Sequence, residues 1–251
     1  MSKLHAISRG LLRGCIFPAL SAGCFLDYAF SGAGASLGGR VAWLQRTALR
    51  HARWFNILIR VHGPVPAHGL IVANHISYLD IIGLSAGVRC AFVSKKEVSR
   101  WPLFGAYSQL GATIFVDRER RGAVASVADQ MRGHLDASIP LVLFPEGTST
   151  DGSHALPFRS SLLDPVVKLG CAVTPCGLRY SLDDGIVAND VAYWGEMALL
   201  PHLLRVVTKR SIRLDIHFGP PRTTDTDRKT LARELREEVC ALAGLPAASP
   251  T

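Results

Sequence analysis

The chain has 251 residues, 48% of them hydrophobic, enough to bury a full core in one domain with an appendage. Its formal charge of +8 is concentrated: residues 1–60 carry eight Lys/Arg against the single acid Asp27, while residues 61–251 carry 20 basic and 19 acidic residues. That near-neutral remainder argues against nucleic-acid binding, and six cysteines without a Cys-x-x-Cys pair exclude a disulfide framework and read as buried thiols in a reducing compartment.

From the N-terminus, thirteen uncharged residues, Gly14 to Leu26, lie between Arg13 and Asp27, short of the roughly 18–20 that span a bilayer. Lys3, Arg9 and Arg13 before an apolar run also have the form of a signal peptide, but Pro18 and the chemistry downstream argue that the segment is retained. The next stretch, Arg40 to Arg60, is predicted as a basic amphipathic helix. Val41, Leu44, Ala48, Phe55, Leu58 and Ile59 fall on one side and Arg46, Arg50, Arg53 and Arg60 on the other. Such a helix lies in an anionic headgroup layer or packs as an ordinary surface helix. Residues 1–60 are thus expected to be a membrane-associating helical arm on the cytoplasmic face of the membrane, peripheral or monotopic, and residues 61–251 an α/β domain.

After His62-Gly63-Pro64, strands are predicted at 70–73, 91–94, 113–116, 141–144, 173–179 and 212–218, with helices at 78–86, 98–109, 123–137 and 160–169. This alternation indicates an α/β fold with a mostly parallel central sheet flanked by helices. The apolar, aromatic stretch from Val191 to Val207 reads as core, with an acyl-channel lining as the alternative. Leu231, Leu235, Val239 and Leu242 then mark a last helix stopped by Gly244.

Three polar clusters follow predicted strands: Asn74, His75 and Asp80; Asp117 and Arg118; Glu146, Gly147 and Thr148. Parallel strands would bring them to one sheet edge, where ligands of open α/β sheets bind. Ser77 to Asp80, "SYLD", has the form of a capping box with Ser77 as N-cap. In a straight helix His75 and Asp80 would stand about 140° apart, so they can meet only if His75 lies in the turn before the helix. Asp80 could then fix the imidazole while its other nitrogen takes a proton from a hydroxyl. Gly83 to Gly87, "GLSAG", matches a nucleophile elbow, but Ser85 falls inside a predicted helix rather than on a strand-to-helix turn. Without a protein nucleophile, a phosphate loop, a dinucleotide fingerprint or metal-ligand spacing, the pair would activate the substrate's own hydroxyl.

Together these blocks resemble the glycerolipid acyltransferase family, which includes 1-acylglycerol-3-phosphate acyltransferases. "NHISYLD" matches its Asn-His-x4-Asp block, "GATIFVDR" its second, "FPEGT" its third, and Val173 with Pro175 in "AVTPCGL" its fourth. The resemblance covers about Val61 to Pro220. It implies that His75 is the general base, Asp80 its partner, that Arg118, Glu146, Gly147 and Thr148 hold the acceptor headgroup, and that Pro175 shapes the site. It implies an acyl-CoA or acyl carrier protein co-substrate, no cofactor or metal, an anionic lipid surface as partner, and a lyso-lipid acceptor, most simply 1-acylglycerol-3-phosphate giving phosphatidic acid. The third block often continues with arginine, and here Ser149 stands there. Losing that cation favours a lysophospholipid or lyso-ornithine lipid as rival acceptor. Arg159 reads either as a compensating cation or, more ordinarily, as a solvated residue opening a helix. Hydrolysis of the thioester by the same pair and a non-catalytic membrane-binding protein are the readings from other classes.

Overall fold

The computed structural model describes residues 3–117, 123–223 and 225–246. Two helices open the chain, α1 (Lys3–Phe30) and α2 (Leu37–Phe55), followed by β1 (Ile57–His62), β2 (Leu70–Ala73), α3 (Leu79–Gly87) and β3 (Ala91–Lys95). Then come α4 (Phe104–Leu110), β4 (Ile114–Val116), α5 (Ala123–Asp136), β5 (Leu141–Leu143), α6 (Asp164–Leu169) and β6 (Val173–Ser181). Short helices α7 (Val187–Asp190) and α8 (Leu199–Val206) lead to β7 (Ile212–Phe218) and α9 (Arg228–Ala243). The seven strands form one sheet in the order β1-β7-β6-β2-β5-β3-β4, parallel throughout except between β6 and β7. All six predicted strands are present. β2 is buried along its whole length, as a parallel strand covered on both faces must be. Ile71 and Ala73 face a core formed with α2 and α3; Leu70 and Val72 face a second core formed with α5, α6 and α9.

The amphipathic helix ends five residues sooner than predicted. Asn56, in the left-handed region at φ 56°, caps α2, and its N–H bonds to the carbonyls of Ala52 and Arg53. Ile57 to His62 pair in register with Ile212 to His217 of β7, so the boundary drawn at residue 60 falls inside a sheet strand. Four apolar residues of the stripe, Val41, Leu44, Ala48 and Phe55, are buried, as is Trp43, which donates to the Cys24 carbonyl at 2.9 Å. Of the two readings of this helix, the packed one holds, because α3 and the sheet occupy the face that lipid would have covered. Its arginines serve the protein as well. Arg46 and Arg50 bond Asp27 of α1, and Arg40 donates to the carbonyls of Gln109 and Leu110.

α1 is a 28-residue helix, twice the uncharged run within it, and is long and apolar enough by length and composition to cross a membrane. Arg9 and Arg13 hold it to the body by donating to the carbonyls of Thr208, Val207 and Lys209, just past the end of α8. Leu4, Ile7, Leu11, Leu12, Ile16, Leu26 and Phe30 remain exposed.

Two other predicted helices break at prolines. Pro102 divides 98–109 into a 3-10 turn at Lys96–Arg100 and α4. Pro165 sits in the first turn of α6, where its missing N–H has no partner to lose, so that helix begins at Asp164 rather than Ser160. Within the Val191–Val207 stretch, Val191, Ala192, Val206 and Val207 belong to the core, while Leu200 and Leu204 are exposed.

Candidate active site

The β2–β6 ladder does not stop at Ala73. Asn74 Nδ2 donates to the Leu178 carbonyl at 3.1 Å and its Oδ1 accepts from the Leu178 N–H at 2.7 Å, so a side-chain amide continues the pairing for one more residue. The chain then turns away from the sheet, and His75 lies in this turn, ahead of α3. Asp80 enters α3 in its first turn, fully buried. Its Oδ2 accepts from His75 Nδ1 at 2.8 Å and from the backbone N–H groups of Ile76 and Ser77 at 2.7 and 3.0 Å. The pair separated by five residues therefore meets, through the turn that the spacing requires.

The cap itself differs from prediction. Tyr78, not Ser77, occupies the N-cap position, and the Ser77 hydroxyl makes no hydrogen bond among the described residues. Asp80 N–H already bonds the Ser77 carbonyl at 3.0 Å, which leaves that hydroxyl no donor to accept from. Asp80 does the capping, by accepting from the N–H groups ahead of the helix.

β5 adjoins β2 in parallel, and this brings the Phe144–Thr148 loop against His75. Glu146 Oε1 accepts from the His75 N–H at 2.7 Å, and Oε2 from the Leu156 N–H at 2.7 Å. Thr150 N–H donates to the His75 carbonyl at 3.0 Å, so the loop holds both backbone groups of the histidine. The Phe144 ring stacks on the imidazole, centroids 4.3 Å apart. Gly147 sits at φ +75°, a conformation that side chains other than glycine resist. Burial pushes the Glu146 carboxyl up to about 7, against the pull of its two backbone N–H bonds.

Not every predicted residue converges here. Gly147 and Thr148 line the cavity beside His75. Pro175 lies in β6 opposite Val72, with its ring against Gly219, and does not line that cavity. Arg118 lies outside the described residues. Asp117 follows β4, beyond β3 from the histidine loop, and pairs with Lys96 at 2.9 Å. The side chain of Ser149 donates to the Tyr193 carbonyl, and Tyr193 N–H bonds the Ile76 carbonyl at 2.9 Å, which draws Tyr193 over the site.

Two cavities meet at Val98 and Trp101. The first is the more polar of the two, with His75, Lys95, Glu97 and Thr148 set among apolar residues such as Val93, Leu143 and Phe144. The second is apolar and narrow, about 90 Å³, and part of it is open to solvent. Its walls come from α2, α3 and α4, closed by Phe17 of α1. Asp80 reaches His75 Nδ1 from the buried side, which leaves Nε2 as the ring nitrogen toward the polar cavity. The arrangement is an imidazole with a carboxyl group behind it, beside a narrow apolar slot.

Tyr180 escaped the sequence reading. It is buried on β6 next to Asp80, whose charge holds the phenol well above its ordinary range, after the larger effect of burial. Nothing local in the sequence marks it, because its meeting with Asp80 depends on β6 lying beside β2. Thr150 escaped for the same reason.

A family model described as Acyltransferase matches residues 58–179. A lyso-ornithine lipid O-acyltransferase from Brucella abortus is 35% identical over 209 residues, 76% of this chain and 78% of that protein. A 1-acyl-sn-glycerol-3-phosphate acyltransferase from Neisseria meningitidis is 29% identical over 74% of this chain and 75% of its own. The crystal structure of a 1-acyl-sn-glycerophosphate acyltransferase from Thermotoga maritima shares the fold, with a TM-score of 0.69 at 18% identity and full coverage of both chains.

Proposed function

Because the chain belongs to the glycerolipid acyltransferase family and is an O-acyltransferase, we propose that it moves a fatty acyl group from a thioester to the free hydroxyl of lyso-ornithine lipid. The observation that carries the chemistry is the His75–Asp80 contact of 2.8 Å beside a polar cavity that adjoins an apolar one. His75 Nε2 takes the hydroxyl proton as the acceptor oxygen attacks the thioester carbonyl, and Asp80 stabilises the resulting imidazolium. The tetrahedral intermediate collapses, the C–S bond breaks, and the thiolate recovers the proton from His75. The acyl chain of the donor, carried on coenzyme A or acyl carrier protein, occupies the apolar cavity. Glu146 and Thr150 position His75, and Gly147 and Thr148 border the acceptor.

Three observations favour the ornithine headgroup. With its α-amine acylated, ornithine carries one carboxylate and one ammonium, and Lys95 and Glu97 offer one charge of each sign to the polar cavity. Ser149, at the position where a cation would grip a phosphate, is occupied with the Tyr193 carbonyl. Relatives named lyso-ornithine lipid O-acyltransferase are 32–36% identical over 63–77% of this chain, against 28–29% over 74% for two Neisseria relatives named for 1-acyl-sn-glycerol-3-phosphate, while a Helicobacter pylori relative of that second name is 39% identical over only 45% of it. That glycerophosphate acceptor is the second reading, favoured by the Asp117-Arg118 block, whose arginine would hold a phosphate bidentately. An acceptor panel decides: with one acyl thioester, thiol release is expected to be fastest with lyso-ornithine lipid, and a clear preference for 1-acylglycerol-3-phosphate would reverse the assignment.

The attachment we propose is to the cytoplasmic face of an anionic membrane, by the exposed apolar side of α1. Because Arg9, Arg13 and Asp27 are engaged with the body, α1 lies along the lipid surface rather than through it.

A further inference from the structure

Three buried polar groups in the apolar cavity have no part in that reaction. Thr47 and His51 stand one turn apart on α2 and Ser85 faces them from α3, at 3%, 5% and 1% exposure. Thr47 Oγ1, His51 Nε2 and Ser85 Oγ have no hydrogen-bond partner among the described residues. Their neighbours on the cavity wall include Phe17, Leu44, Ile82 and Phe104. Buried polar atoms in folded proteins are paired as a rule, so these three orphans, with the Tyr107 hydroxyl a fourth on the same wall, call for a polar group in what fills it.

The chemistry of that group can be specified. His51 Nδ1 lies 2.8 Å from the Thr47 carbonyl, which can only accept, so Nδ1 carries the proton. Burial pushes the imidazole pKa down, which keeps the ring neutral. Nε2 is then a fixed acceptor, while the two hydroxyls can donate or accept. A single hydroxyl satisfies both kinds of partner.

We propose that the acyl cavity selects a donor chain bearing a hydroxyl group, whose O–H is donated to His51 Nε2 and whose oxygen accepts from Thr47 or Ser85. The inference rests on the acyltransferase reading above, in which this cavity receives the donor chain. An unsubstituted chain leaves the three groups unpaired, and a site built to hydrogen-bond a hydroxyl discriminates strongly against the analogue that lacks it. The fixed places of α2 and α3 also set the depth at which the hydroxyl must lie, so position along the chain matters.

The test is a positional series of monohydroxylated acyl-CoA donors beside the unsubstituted chain of equal length. It is assayed on the full chain by thiol release, with lyso-ornithine lipid and 1-acylglycerol-3-phosphate each as acceptor. One hydroxyl position is expected to raise kcat/KM about tenfold over the unsubstituted donor, with Thr47→Val and His51→Leu each moving that ratio toward one. Equal or better use of the unsubstituted chain against every position, or a ratio unmoved in both variants, overturns the proposal. A bound structural water that satisfies the three groups produces that same flat result. Acceptor-dependent release from the unsubstituted donor with no hydroxyl preference sinks this inference alone, whereas absence of acceptor-dependent release from every donor sinks the reading on which it rests.

Discussion

His75 is fixed at its ring by Asp80 and Phe144, at its N–H by Glu146 and at its carbonyl by Thr150. The two backbone anchors survive loss of the ring, so His75→Ala is expected to keep the fold while losing roughly 10²- to 10⁴-fold in turnover, the usual worth of a general base. Circular dichroism with steady-state thiol release checks both halves. Glu146 behaves differently, because its carboxyl is raised from the usual glutamate range to about 7. Between the ordinary value and about 7 the folded protein holds a proton that the unfolded chain has released. Its contribution to stability is therefore complete at low pH and lost as pH rises through about 7, at most roughly 3 kcal/mol in all. Denaturant unfolding of the wild type should weaken over that window, and Glu146→Gln should flatten the decline. The His75–Asp80 pair was legible in the sequence because five residues and one turn contain it. The Glu146 and Tyr180 contacts were not, because each crosses between strands whose order no short window reveals.

At the scale of elements, the first 60 residues divide differently from their hydrophobic pattern. The 100° periodicity found α2 and its apolar stripe correctly, yet periodicity cannot tell a stripe that meets lipid from one that meets α3. It also carried the helix through Ile57 to Arg60, because Leu58 and Ile59 fall on the apolar side of a helix while also suiting the edge strand they form. The membrane contact proposed above passes instead to α1. Leu4, Leu11 and Leu12 are 74%, 67% and 63% exposed, and each leucine that leaves water for lipid gains about 1.5–3 kcal/mol. Changing all three to serine is expected to lower the liposome-bound fraction at least tenfold in a sedimentation assay. Such exposed positions affect folding by no more than about 0.5 kcal/mol each, and turnover on detergent-dispersed substrate should persist. Unchanged sedimentation would show that α1 is not the attachment.

For the whole molecule, the α/β class and the shared edge followed from the alternation of strands and helices, since the parallel run β6-β2-β5-β3-β4 points every one of its C-terminal ends the same way. The reversal at β7 was not legible, because no short window shows which way a strand runs and the connection from β6 passes through two short helices. The same reversal seats β1 beside β7, Ile57 opposite Ile212, so the first strand of the sheet is completed by the last. A chain made from its N-terminus must therefore expose α1, α2 and an unpaired β1 throughout most of its synthesis, and an unpaired strand invites wrong partners. If α1 is the attachment proposed above, lipid takes up the first helix while the ribosome is still supplying the strand that closes the sheet, and arrival at the bilayer precedes folding rather than following it.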